Sequence, residues 1–146
     1  MTPTLFGRWQ TRLLLLGTVG VLVTIPFAMG LIGSGKSSVY FAVIFYVALF
    51  GIAWDVLYNH LQKYRWDRDW PAAYQAMAGI WEMIFIWCGL KIFSILPIPI
   101  PRTSLLWRDF FMHYVTVWLA VFIASQTMMR VIFPRWRFHG GEWFNR

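Results

Sequence analysis

The chain has 146 residues, 59% apolar and 13% charged, with a mean hydropathy of +0.55 and a formal net charge of +7. One Cys, no Gly-X-Y period and this apolar content exclude a disulfide framework, a collagen-like repeat and disorder. Thirteen Lys and Arg and six Asp and Glu, clustered between long apolar runs, cannot coat a soluble domain, so the expected solvent is a bilayer.

A bilayer core about 30 Å thick needs roughly 20 apolar residues of helix, because no water is present there to satisfy backbone N–H and C=O groups. Four stretches meet this, at about 13–32, 39–58, 72–96 and 105–129. The expected fold is therefore all-α: a polytopic membrane protein forming one bundle of four transmembrane helices, followed by a short basic and aromatic tail over 130–146.

The first stretch follows Arg8 and Arg12 and carries no charge. It also has the layout of a secretory signal, with a basic start, an apolar run to Ile25, Pro26 as a break and Ala28-Met29-Gly30 as a small-x-small site. Its apolar run continues through Leu31 and Ile32, which favours a retained helix with Pro26 as a late kink. Gly33 to Ser38 forms a short turn, making the first two helices antiparallel neighbours. The same region, Gly30 to Ser37, matches the letters of the phosphate-binding G-x-x-x-x-G-K-[ST] loop. That loop requires a strand before it and a separate acidic residue for magnesium, so here the match is read as chance and no nucleotide site is expected.

In the second stretch, Asp55 lies near the end that leads into the loop, where Arg12, Arg65 or Arg130 is placed to reach it as a structural ion pair. Pro71 suits the first turn of the third helix, and Asp69 ahead of it suits the positive end of the helix dipole. Glu82, ten residues after Ala72, falls about 15 Å into the membrane. A carboxylate at that depth is a functional candidate by default, either a proton carrier or a protonated group donating one hydrogen bond between helices. Lys91, roughly 28 Å along the same helix, is expected to snorkel to the outer surface. Alternating prolines at 97, 99 and 101 forbid helix. Thr103 or Ser104 is placed to cap the fourth helix, whose polar groups are His113 in its outer part and Gln126 in its inner part.

Counting Lys and Arg in the loops orients the chain. With both termini cytoplasmic, Arg8, Arg12, Lys63, Arg65, Arg68, Arg130, Arg135, Arg137 and Arg146 lie inside, against Lys36, Lys91, Arg102 and Arg108 outside. The basic pI is thus a topology signal, and nucleic acid is not an expected partner. His60, His113 and His139 are too scattered to ligate haem or a metal, Cys88 stands alone, and Asp55 and Glu82 differ in depth by roughly 9 Å, so no catalytic set and no metal site are expected. No cofactor is expected beyond bound lipid.

Two segments on the inner side look built for contact: the loop with Trp66, Arg68, Asp69 and Trp70, and the tail with Arg135, Trp136 and Arg137. An aromatic belt with anionic lipid at the cytoplasmic face explains part of this pattern. The mixture of Trp and Arg with Asp67 and Asp69 points to a protein surface instead. The leading expectation is a non-enzymatic accessory, assembly or anchoring subunit of a larger membrane complex, paired with another membrane protein or a second copy of itself. The alternative is a small proton- or cation-coupled transporter using Glu82. A membrane enzyme acting through His60, Asp67 and Asp69 is weaker, because solvated loops ordinarily carry such residues.

Overall fold

A computed structural model describes residues 3–34, 36–92 and 105–143, and among these all regular structure is helical. We number the helices α1 (Leu5–Ala28), α2 (Val39–Gln62), α3 (Ala72–Ile92), α4 (Trp107–Gln126) and α5 (Met128–Ile132). Three helical stretches are long and apolar enough to cross a membrane: Leu5–Ala28, Val39–Gln62 and Trp107–Ile132. Helix α3 has 21 residues, a sufficient length, but Tyr74, Gln75, Glu82, Lys91 and its two tryptophans keep its hydropathy lower. The expected end of that helix beyond residue 92, the alternating prolines and the Thr103 or Ser104 cap lie outside the described residues.

Several helix boundaries differ from expectation, two of them by running on through polar residues. Helix α1 starts at Leu5 rather than near Leu13, because Thr4 caps it, accepting from the Gly7 N–H at 3.0 Å. Arg8 and Arg12 are consequently inside the helix and not in a loop. Helix α2 runs to Gln62 rather than Tyr58, one further turn. At the fourth helix the start moves to Trp107, where Leu106 occupies the cap without a side-chain bond.

Within α1, residues Leu16–Gly20 form a π turn, and the Val21 N–H donates to the Leu16 carbonyl five residues back. Such turns insert one extra residue and rotate the helix beyond them. The irregularity of this helix is therefore at 16–20, while Pro26 sits close to its end.

Contacting pairs give the helix directions. Arg8–Gln62, Arg12–Asp55 and Phe27–Tyr40 join α1 to α2 with one number rising as the other falls. The same holds for Phe50–Phe85 and Trp54–Trp81 between α2 and α3. Gln75–Gln126 and Trp87–Phe110 do so between α3 and α4, and Gly20–Val117 and Thr24–His113 between α1 and α4. Each neighbouring pair is antiparallel, and the core between them holds Phe27, Tyr40, Tyr46, Ile86, Phe110 and Tyr114. Leu22, Leu49, Ile80, Ile84, Leu119 and Ile123 face outward and are exposed. An apolar exterior of this kind is consistent with a membrane protein.

The turn after α1 closes one end. Gly33 has φ of +100° and lies against the Tyr40 hydroxyl, and the Ser34 hydroxyl donates to the buried Asp109. The segment before this turn is helix, not the strand a phosphate-binding loop requires.

The tail closes the other end. After α5 it folds back over the first turns of α1, where the Thr4 N–H donates to the Gly140 carbonyl at 2.7 Å and the Thr11 hydroxyl to the Gly141 carbonyl at 2.9 Å. The Trp136 indole N–H donates to the Thr11 hydroxyl at 2.9 Å, and the Thr4 hydroxyl donates to Glu142 at 2.7 Å. Gly7 permits this approach, since a Cβ there would collide with the Gly140 carbonyl. Gly7→Ala should therefore lift the tail and speed amide exchange at Thr4 and Trp143 by at least about tenfold. Gly17→Ala, at a position with open space, should leave both rates unchanged.

Candidate functional site: a buried arginine between two carboxylates

Arg12 projects from α1 into the interior and meets a carboxylate from each of two other helices. Its Nε donates to Asp55 Oδ2 and its Nη2 to Asp55 Oδ1, both at 2.9 Å. Its Nη1 donates to Glu82 Oε2 at 2.8 Å and its Nη2 also to Glu82 Oε1 at 3.0 Å. Both carboxylates are engaged through two oxygens, the strong fork geometry of guanidinium with carboxylate. The side chains of Asp55 and Glu82 are 4% and 7% exposed, so neither charge is offset by bulk water.

The local sequence makes room for this. Gly51 precedes Asp55 by one helical turn and lies on the same face, and a Cβ at Gly51 would overlap the guanidinium. Gly79, on α3 near Glu82, similarly leaves space for the Trp118 indole and offers its carbonyl to the Tyr114 hydroxyl at 2.9 Å. These glycines are seats for large polar side chains.

Both acids are candidates from the sequence, where helix rise puts them about 9 Å apart in depth. That separation shrinks because α2 continues to Gln62: Asp55 is then seven residues from the helix end, about 10 Å, against about 15 Å for Glu82. A guanidinium with two forked faces spans the remainder. Arg12 was placed outside the first span, so the partner of Glu82 was missed. One visible signal was its position four residues after Arg8 in a stretch already capped by Thr4.

The triad carries one more negative than positive charge in formal terms. Arg8, one turn earlier on α1, is the nearest source of balance on that helix. Its Nη2 donates to Gln62 Oε1 at 2.7 Å, and its guanidinium lies over the Trp70 ring at 4.5 Å from the centroid. Trp70 is thus half-buried, packed between Arg8, Tyr58 and Tyr74. Trp136, 6% exposed, packs with Leu15, Ala124 and Met129 and bonds Thr11, so its ring serves the fold and is not on offer to a partner.

A cavity of about 320 Å³ lies beside the triad. Its lining combines Arg8, Trp70, Gln75, Gln126, Arg130 and Arg137 with Asp55, Glu82 and Tyr58 and with the apolar Leu16, Ile44, Val47, Val117 and Val121. His113 also lines it and is fully buried among the helices. The Thr24 hydroxyl donates to the Gly20 carbonyl at 2.8 Å, so toward His113 Nε2, at 2.9 Å, it acts as acceptor. This fixes the proton on Nε2 and leaves Nδ1 as a lone pair. Among the described residues, two buried polar atoms without a hydrogen-bond partner belong to the cavity lining, Arg8 Nε and His113 Nδ1, while the Tyr58 hydroxyl bonds Glu82.

The loop after α2 is the most exposed part of the molecule. Trp66 is 102% exposed, and Arg68 holds a positive φ of 48°. Arg65 forks onto Asp67 at 3.0 Å through Nε and Nη2, and these bonds hold the Asp67 carboxyl down at about 2. The pair thus persists as pH falls until that value is reached. Arg135 and Arg137 are exposed on the tail, beside Phe138 at 88%. No group of three or more His, Cys, Asp or Glu side chains able to hold a metal ion occurs among the described residues. No family model, curated protein or solved structure matches the chain.

Removing one member of a buried ion cluster leaves the others uncompensated, at a cost of about 3–5 kcal/mol. Arg12→Gln should lower unfolding stability in detergent by that amount. The triple replacement Arg12→Gln, Asp55→Asn, Glu82→Gln should recover most of the loss, read by thermal unfolding of the purified protein. Equal stability of the single and triple variants would show that charge pairing is not what the site contributes.

Proposed function

We propose that the protein is a small integral membrane protein whose helices cross the bilayer four times, with both ends on the cytoplasmic side, and that it works as an accessory, assembly or anchoring subunit. Three apolar helices, the antiparallel direction of α3 between α2 and α4, and the contact of Thr4 with Gly140 support four crossings and a shared side for the two ends. The Lys and Arg bias of the loops favours the cytoplasm for that side, although Arg12 no longer contributes to it, being paired inside.

The observation that carries the docking reading is Trp66. An indole held wholly in solvent by a short loop, flanked by Arg68 and Tyr64, is the kind of residue that dominates binding energy once covered. Arg135, Arg137 and Phe138 extend the same chemistry on the tail. The partner is another membrane protein with an acidic, apolar-centred surface, or a second copy of the chain. A photoreactive phenylalanine at position 66 should give a discrete protein adduct in native membranes, while the same probe at Ile80, on the lipid-facing side, should give lipid adducts alone. Lipid adducts alone at both positions would remove the docking reading.

A second reading, a proton- or cation-coupled carrier using Glu82, is favoured by the cavity, which brings Glu82 into reach of one end of the molecule. Under it, Glu82→Gln should abolish pH-driven flux in reconstituted vesicles, and flux equal to that of the unmodified protein would exclude it.

A further inference from the structure

The cavity has a chemical bias that neither reading uses. Its lining brings Arg8, Arg130 and Arg137 together. Arg8 Nε is buried there without a hydrogen-bond partner. Arg130 donates to Gln126 at 2.6 Å, and neither it nor Arg137 has a carboxylate within ion-pair distance among the described residues. Asp69 lines the cavity too but is already engaged. The two other lining carboxylates, Asp55 and Glu82, are each forked onto Arg12. Three arginines drawn from α1, α5 and the tail therefore line one cavity, in which Asp69 is engaged elsewhere and Asp55 and Glu82 are forked onto Arg12.

A buried donor on a charged group that lacks an acceptor is costly, and charge-assisted bonds to an oxyanion are the strongest available remedy. Behind the arginines the wall turns apolar, through Leu15, Leu16, Ile44, Val47, Val117 and Val121. We propose that this cavity is an oxyanion-binding site, with a phosphate or carboxylate held by Arg8, Arg130 and Arg137 at the opening. The apolar wall behind fits a single acyl chain attached to that group. Arg8, pre-oriented by Gln62 and stacked on Trp70, is the central contact. The site shares Arg137 with the tail but does not include Trp66, and it does not depend on the docking reading.

The test is calorimetric titration of the full chain in an uncharged detergent with three probes: inorganic phosphate, oleoyl lysophosphatidate, and monoolein, which has the same acyl chain and no charge. Saturable binding of lysophosphatidate, at least tenfold tighter than monoolein and weakened at least tenfold by Arg8→Gln, is expected. Phosphate binding with the same Arg8 dependence would assign the site to a free oxyanion, and its absence would assign it to a lipid headgroup; both outcomes support the proposal. Arg130→Gln with Arg137→Gln, on exposed side chains, covers the case in which Arg8→Gln fails to fold, and should also weaken binding several-fold. Equal binding of monoolein and lysophosphatidate, saturation by no probe, or affinity unchanged in these variants would overturn it.

Discussion

A full charge carried into an apolar interior has to be matched where it sits, and Arg12 is matched from two directions at once. Asp55 binds it from α2 and Glu82 from α3, so one side chain of α1 joins three helices. Contacts among aliphatic side chains give little preference for one helix register over another in lipid, since the tails are as apolar as the side chains. A forked ion cluster does discriminate, because a shift of one residue on any of the three helices would unpair a buried charge. The glycines fit this picture: Gly51 leaves the volume that the guanidinium occupies, and Gly20 brings α1 close to Ile44 and Val117 a few turns further along.

The same cluster divides the interior. On one side lies an apolar and aromatic core, closed by Tyr40, His113 and the Ser34–Asp109 contact. On the other lies the basic opening bounded by Arg8, Arg130 and Arg137, with the tail folded across α1. The tail contacts combine hydrogen bonds through Thr4, Thr11 and Gly140 with the packing of Trp136 against Leu15, Ala124 and Met129. The loop carrying Trp66 projects beyond them, so a partner could engage it without disturbing the triad.

Much of the fold was legible because membrane helices obey a length rule that composition exposes directly. Val39, the charge-free run after Leu13 and the turn at Gly33 all come from it. The rule misplaces ends where a helix carries charge, since it stops at the first Arg or polar run; this is why α1 was begun too late and α2 ended too early. That error mattered most at the site. Asp55 was correctly offered Arg12 among three candidates, yet Glu82 was left without a partner because Arg12 was assigned to water. Trp136 and Trp70 show a different limit: composition marks them as interface residues, while only the folded chain shows that Thr11 and Arg8 already occupy them. The π turn at 16–20 has no sequence signature that would have placed it.

The most direct test of the cluster is a distance measurement in lipid bilayers. Solid-state magnetic resonance with the Arg12 guanidinium labelled with nitrogen-15 and the side-chain carboxyls of Asp55 and Glu82 labelled with carbon-13 reports whether both acids lie against the same group. Strong dipolar dephasing of Arg12 by each carboxyl, labelled one at a time, is expected. Dephasing by only one carboxyl, or by lipid phosphorus in place of both, would contradict a guanidinium shared between α2 and α3.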